Sequence, residues 1–211
     1  MNRKDICEQI IKYCLKMEKD NLTSGTGGNI SVKYENKIYI TPSGIEYNEL
    51  ETKDISELDE DGNFSGVGKP PSSEKEFHSR IYKLRPDVKS IVHTHSTYAC
   101  VLGCLKKELP PIHYLVAAGG RKVPVADYAG FGSRELANEI CSVILDSNAV
   151  FMANHGLVSV GKTLYQAYQT ALYIEFVSKV YVISLSCGKP FELDDNQIDD
   201  AIKRIESYLG R

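Results

Sequence analysis

Apolar residues recur at helical spacing near the amino end. Ile6, Ile10, Cys14 and Met17 share one face, while Glu8, Gln9, Lys12 and Lys16 break any continuous run. The pattern predicts an amphipathic helix and lacks the unbroken apolar core of a secretion signal. Alternation then takes over: Ile30, Val32 and Tyr34 form one run, Ile38 and Ile40 another, with Glu35-Asn36 between. That is the signature of a β-hairpin with a short turn. Residues 46–71 are acidic and rich in turn formers, with an exposed turn expected at "DEDGN", 59–63. Ser72 or Ser73 is the expected cap of a following helix, whose buried stripe is Phe77, Ile81 and Leu84.

Residues 88–95, "VKSIVHTH", predict a strand, and 96–107 a short helix capped by Ser96 or Thr97. A strand and loop follow at "RKVPVADYAG", then a helix over 133–146. "AVFMANHGLVSVG" reads as two strands broken at Asn154-His155-Gly156, and 163–186 and 195–208 are helical, the last with Ile198, Ile202 and Ile205 on one face. No repeat or linker interrupts the chain, and no apolar run is expected to span a bilayer. The expectation is a single α/β domain over 1–211, with a layered, mostly antiparallel central β-sheet flanked by helices.

Composition narrows the function classes. The chain has 211 residues, 42% hydrophobic and 25% charged, with a formal net charge of −3. It carries no Lys/Arg block, so neither nucleic acid nor a membrane surface is an expected partner. The six cysteines form no CxxC pair, and Cys100 and Cys104, four apart on a helix, read as buried free thiols. The expected location is the cytoplasm.

Candidate chemistry centres on two of the five histidines. Side chains i and i+2 on a strand point to the same face, roughly 6.5–7 Å apart at the backbone. His93 and His95 can therefore converge on one ion or stand as solvated residues at a strand end. His155, followed by Gly156, is a third candidate ligand, and Glu74, opening a helix, a fourth. His78 and His113, taken singly, read as ordinary helix and loop residues. Upstream, "SGTGGN" has neither the spacing nor the following helix of a nucleotide-binding motif. Its backbone N–H groups can cradle an anion or simply lead into the hairpin.

Taken together, "LTSGTGGNISV", "ITPSGIEY", "KPPSSEKEFH", "VHTHS", "PIHYLVAAGG", "FGSREL" and "NHGL" resemble the class II aldolase/adducin superfamily, and within it the L-fuculose-1-phosphate aldolases, in order and interval along nearly the whole chain. The resemblance implies Zn2+, or another divalent transition metal, on His93, His95 and His155. It makes Glu74 the acid/base and a possible resting-state ligand. It also implies a phosphate site from Thr26, Gly28, Asn29, Ser43, Gly44, Ser72 and Ser73. Tyr114 would reach a neighbouring subunit's site in a homotetramer; Tyr208 matches a tail tyrosine or merely packs its helix. Phe131 is a candidate for the aldehyde end.

The implied reaction cleaves a phosphorylated ketose to dihydroxyacetone phosphate and an aldehyde. Sister reactions of the superfamily stay open: ribulose-5-phosphate 4-epimerisation, methylthioribulose-1-phosphate dehydration and deoxy-ketose-phosphate cleavage. So do an adducin-like interaction module without catalysis and a Schiff-base aldolase using a lysine such as Lys122.

Overall fold

The computed structural model describes residues 2–210. Seven strands form one sheet: β1 (Asn29–Tyr34), β2 (Lys37–Ile40), β3 (Ser56–Asp59), β4 (Ser90–Thr94), β5 (Val125–Ala126), β6 (Ala149–Met152) and β7 (Gly156–Gly161). Their order is β3-β2-β1-β4-β7-β6-β5. Every neighbouring pair is antiparallel except β5 with β6. Helices α1 (Arg3–Lys19), α3 (Thr97–Cys104) and α5 (Leu164–Cys187) cover one face; α2 (Lys75–Leu84) and α4 (Arg134–Val143) cover the other. The layered, mostly antiparallel α/β fold is as expected.

Strand alternation sorts the core. Ile30, Val32, Val92, Phe151 and Leu157 meet α1, α3 and α5, whereas Ile38, Ile40, Ile91, Val150, Val158 and Val160 meet α2 and α4. Fully burying such a side chain contributes about 1.5–3 kcal/mol, so each face has a strong register preference. A one-residue slip would invert it. The last helix, α6 (Asp195–Leu209), lays Ile198, Ala201, Ile205 and Leu209 over Ala117 and Ala118 of a 3-10 turn at Tyr114–Ala118.

Several local expectations need correction. Residues 46–71 contain β3, an edge strand whose polar sequence hides it; Glu57 is buried there against Lys37, 2.6 Å away. Neither Ser72 nor Ser73 caps α2. Glu74 holds the cap position, because the Ser72 hydroxyl and carbonyl accept from the N–H groups of Glu74 and Lys75 and make a turn just upstream. Leu84 is exposed, since the buried face of α2 is centred on Phe77, His78, Ile81 and Tyr82. The cysteines are free, but Cys104, at the projecting end of α3, and Cys187 are exposed.

Helix α5, with 24 residues, is long and apolar enough by length and composition to cross a bilayer, contrary to expectation. Its burial against β4 and β7 accounts for that composition here: Leu164, Ala167, Tyr168, Ala171, Ile174 and Val177 all lie in the core. Its Glu175 carboxylate accepts from the N–H groups of Tyr98 and Ala99 at the start of α3, where a negative charge is favoured.

Candidate metal centre and anion cradle

Three neighbouring strands end at one rim of the sheet. Asn29 opens β1 and pairs with His93 on β4, which pairs in turn with Val158 on β7. Two positions beyond His93, His95 leaves the strand on the same side. His155 reaches the rim because the β6–β7 connection is very tight: Asn154 adopts a left-handed conformation (φ 55°) that asparagine tolerates, and His155 N–H bonds to the Met152 carbonyl. Gly156 follows, lying so close to β4 that any side chain would collide with the Thr94 carbonyl.

The three rings face one point. Nε2 of His93 lies 2.9 Å from Nε2 of His95, and ring centroids are 4.7 to 5.1 Å apart. One nitrogen from each lies within 4.8 Å of the others. Glu74 borders the group: Oε2 is 3.1 Å from His93 Nε2, and Oε1 is 3.4 Å from His155 Nε2.

Hydrogen bonding defines what this cluster can hold. His93 Nδ1 is 3.0 Å from the Leu157 carbonyl, an acceptor, so Nδ1 carries the proton and a neutral ring leaves Nε2 bare. Burial pushes the pKa values of His95 and His155 down to about 4, reinforced by His93 in both and by His155 for His95; the nearby Glu74 only partly opposes this. Both rings are therefore neutral near pH 7. Burial works to raise the Glu74 pKa, but His93, His155 and the Asn29 amide outweigh it and keep the carboxyl ionised. A neutral His93 thus turns a lone pair toward Glu74 Oε2, and buried Glu74 Oε1 has no hydrogen-bond partner. A cation relieves this arrangement, and three imidazoles with a neighbouring carboxylate are a donor set for a divalent transition metal.

Beside the histidines lies a cleft of about 410 Å³, lined by Thr26, Gly28, Asn29, Ser43, Gly44, Ser72, Ser73, Glu74, His95 and His155. All seven residues of the expected phosphate site thus share one cavity. The glycines are required by contact as well as by conformation. At Gly28 (φ 73°) a Cβ would stand 2.6 Å from the His93 carbonyl, and at Gly27 2.8 Å from His95 Nδ1. The cleft lining includes no lysine or arginine, so an anion there must be held by N–H and hydroxyl donors. Asn29 is less available than expected, because its side-chain Nδ2 donates to Glu74 Oε2 at 2.8 Å.

The model for "Class II Aldolase and Adducin N-terminal domain" matches residues 8–182. The chain belongs to this family. The similarity to relatives extends over nearly the full length of the chain. L-fuculose phosphate aldolase of Haemophilus influenzae is 39% identical over 210 residues, covering 99% of this chain and 97% of that one. 5-deoxy-D-ribulose 1-phosphate aldolase of Bacillus thuringiensis serovar kurstaki is 37% identical over 203 residues, covering 95% of each. Among solved structures, an L-fuculose 1-phosphate aldolase superposes with a TM-score of 0.94 at 36% identity, covering 98% of both chains. The chain is accordingly an enzyme of the class II aldolase type, a family that works with a divalent metal.

Within this aldolase fold, Tyr114 and Tyr208 are not brought to the cleft. Both are exposed and line a separate groove of about 970 Å³ between the 114–118 turn and α6. Lys122 is also remote, its ammonium on the surface 2.7 Å from Glu108, and no lysine lines the cleft as a Schiff-base reading would need. Phe131, expected at the aldehyde end, does line the cleft, together with Tyr128 and Asn154, which sequence reasoning missed. The glycine-flanked "DYAGFG" between β5 and α4 was the available signal for Tyr128.

Proposed function

We propose that this chain cleaves the C3–C4 bond of a ketose 1-phosphate, best L-fuculose 1-phosphate, to dihydroxyacetone phosphate and L-lactaldehyde. The observation carrying this reading is the junction of two features: three converging imidazoles with a carboxylate, directly beside a lysine-free cleft lined by N–H and hydroxyl donors.

The substrate phosphate is held by the backbone of the glycine loop and of Ser43-Gly44, with hydroxyls from Thr26, Ser72 and Ser73. This fixes the reacting carbons toward Glu74. His93, His95 and His155 would hold the metal, which when bound would supply Lewis-acid stabilisation of developing negative charge. Cleavage moves the C3–C4 electron pair to C3 and turns the C4 hydroxyl into an aldehyde. In synthesis the ionised Glu74 removes a proton from C3; in cleavage it first takes up a proton from solvent and delivers it to C3, balancing the one given up by the C4 hydroxyl. Tyr114 of a neighbouring copy takes the C4 hydroxyl proton, in a homotetramer with sites at subunit contacts; its exposure and its distance from this chain's own cleft support that role. The setting is cytoplasmic.

A second substrate, 5-deoxy-D-ribulose 1-phosphate, is favoured by the 37% identity to an aldolase of that name. Both ketoses release dihydroxyacetone phosphate, so one assay serves. Purified enzyme is incubated with a panel of ketose 1-phosphates, products are identified by mass spectrometry, and kcat/KM values are ranked. Dihydroxyacetone phosphate with lactaldehyde from fuculose 1-phosphate, at the highest kcat/KM, is expected. A dehydrated or epimerised sugar as sole product rejects the proposal.

A further inference from the structure

Behind Glu74, away from the cleft, polar side chains continue inward where two layers of the fold meet. His78 and Ser31 are fully buried and Tyr82 almost so, and β1 turns its apolar Ile30 and Val32 to the other face of the sheet. The four contacts run in series. Tyr82 OH is 2.8 Å from Ser31 Oγ, and Ser31 Oγ is 2.7 Å from His78 Nδ1. His78 Nε2 is 2.5 Å from Asn29 Oδ1, and Asn29 Nδ2 is 2.8 Å from Glu74 Oε2.

The direction of every bond follows from the Asn29 amide, which presents its NH2 group to Glu74 Oε2 and its oxygen to His78 Nε2. That oxygen only accepts, so His78 carries its proton on Nε2. With one proton on the ring, Nδ1 is bare and takes the Ser31 hydroxyl hydrogen, leaving Ser31 to accept from Tyr82. Burial, helped by His93, pushes the His78 pKa down to about 3 despite Glu74, so the ring is neutral. Burial likewise keeps Tyr82 protonated.

We infer that His78 is a positioning residue: through Asn29 it ties Glu74 Oε2 down, so that the unpartnered Oε1 alone carries the transferred proton. This rests on the reading of Glu74 as the acid/base. The relay has a consequence that simple core packing lacks. Without a donor at Nε2 the Asn29 amide can turn over, presenting its oxygen to the carboxylate, and Glu74 is repelled from its working position. Phosphate binding, which uses the backbone of the glycine loop, is left largely intact.

Two measurements test it. Neutron diffraction of the perdeuterated chain, with and without zinc, should place a deuteron on His78 Nε2, none on Nδ1, and two on the Asn29 atom facing Glu74. A deuteron on Nδ1 instead overturns the relay, whatever the activity. Kinetically, His78→Leu at unchanged zinc content should lower kcat about 10- to 100-fold, with KM within about threefold. His78→Gln, which keeps a donor toward Asn29, should retain at least about a tenth of wild-type kcat. Wild-type kcat in His78→Leu overturns the inference. Should that variant not fold, His78→Gln decides: loss below about a tenth of wild-type kcat also overturns it. Glu74→Gln separates the two readings, because full activity in that variant removes the role of Glu74 while the deuteron positions still report on the relay.

Discussion

Gly156 is the position where one added methyl group should damage both fold and site. It opens β7 immediately after His155, with Thr94 of β4 alongside. A Cβ built there lies 2.3 Å from the Thr94 carbonyl oxygen, 3.0 Å from His95 Cδ2 and 3.2 Å from His93 Cε1. The first obstacle is the backbone of a central strand, which cannot swing aside, so Gly156→Ala must part β4 from β7 or rotate two of the three imidazoles. Overpacking of this kind costs about 1–3 kcal/mol. In a chain of this size each kcal/mol lowers Tm by about 2–4 °C, so the metal-free variant should melt roughly 2–12 °C below wild type. Because two of the three contacts concern candidate ligands, zinc affinity should also fall about 10- to 100-fold, read by competition with a chelator of known affinity. Gly130→Ala is the control, since nothing stands within 4 Å of a Cβ there. If Gly156→Ala matches that control in both Tm and zinc affinity, the close approach of β7 to the histidines does not govern the site.

Three further outcomes are expected. Exhaustive chelation should abolish carbon–carbon cleavage, and zinc should restore it while raising Tm, by about 2.7 kcal/mol of stabilisation at 100-fold excess over Kd; a chelated enzyme at full rate refutes the metal reading. His78, His95 and His155 have folded pKa values below the ordinary histidine value, at about 3, 4 and 4, so between those values and about 6.5 the unfolded chain binds more protons. Stability of the metal-free chain should therefore fall as pH drops through that window, and pH-independent Tm between 6.5 and 4 would contradict the three neutral rings. Mixing Glu74→Gln chains with Tyr114→Phe chains, each nearly inactive alone, should regain activity through hybrid assemblies that pair an intact cleft with an intact Tyr114. No recovery after verified subunit exchange removes Tyr114 from a neighbour's site.

How much of this was legible in the residues depends on how local the information is. The hairpin of β1 and β2 and the spacing of His93 and His95 are period-two features, readable within a few positions. His155 was marked by the turn chemistry of Asn154 and Gly156. Glu74 is different: its place at a helix start made it a candidate, but 45 residues separate it from Asn29 and their contact arises only in the folded chain, so its acid/base role came from the resemblance. For His78 the local pattern was misleading. One histidine on an amphipathic helix is commonplace, and nothing nearby announces that its ring spans from Ser31 to Asn29. The resemblance implies a phosphate-site role for Asn29, yet its amide donates inward to Glu74, where an ionised carboxylate is a stronger acceptor than solvent. The polar edge strand β3 was hidden for a related reason, since buried Glu57 is satisfied by Lys37 across the pair, a partnership that no alternation of apolar residues records. What sequence periodicity reports is burial of apolar surface. The arrangement that would set proton transfer here is built from buried polar groups whose partners lie on other elements, so it becomes visible only once the layers are assembled.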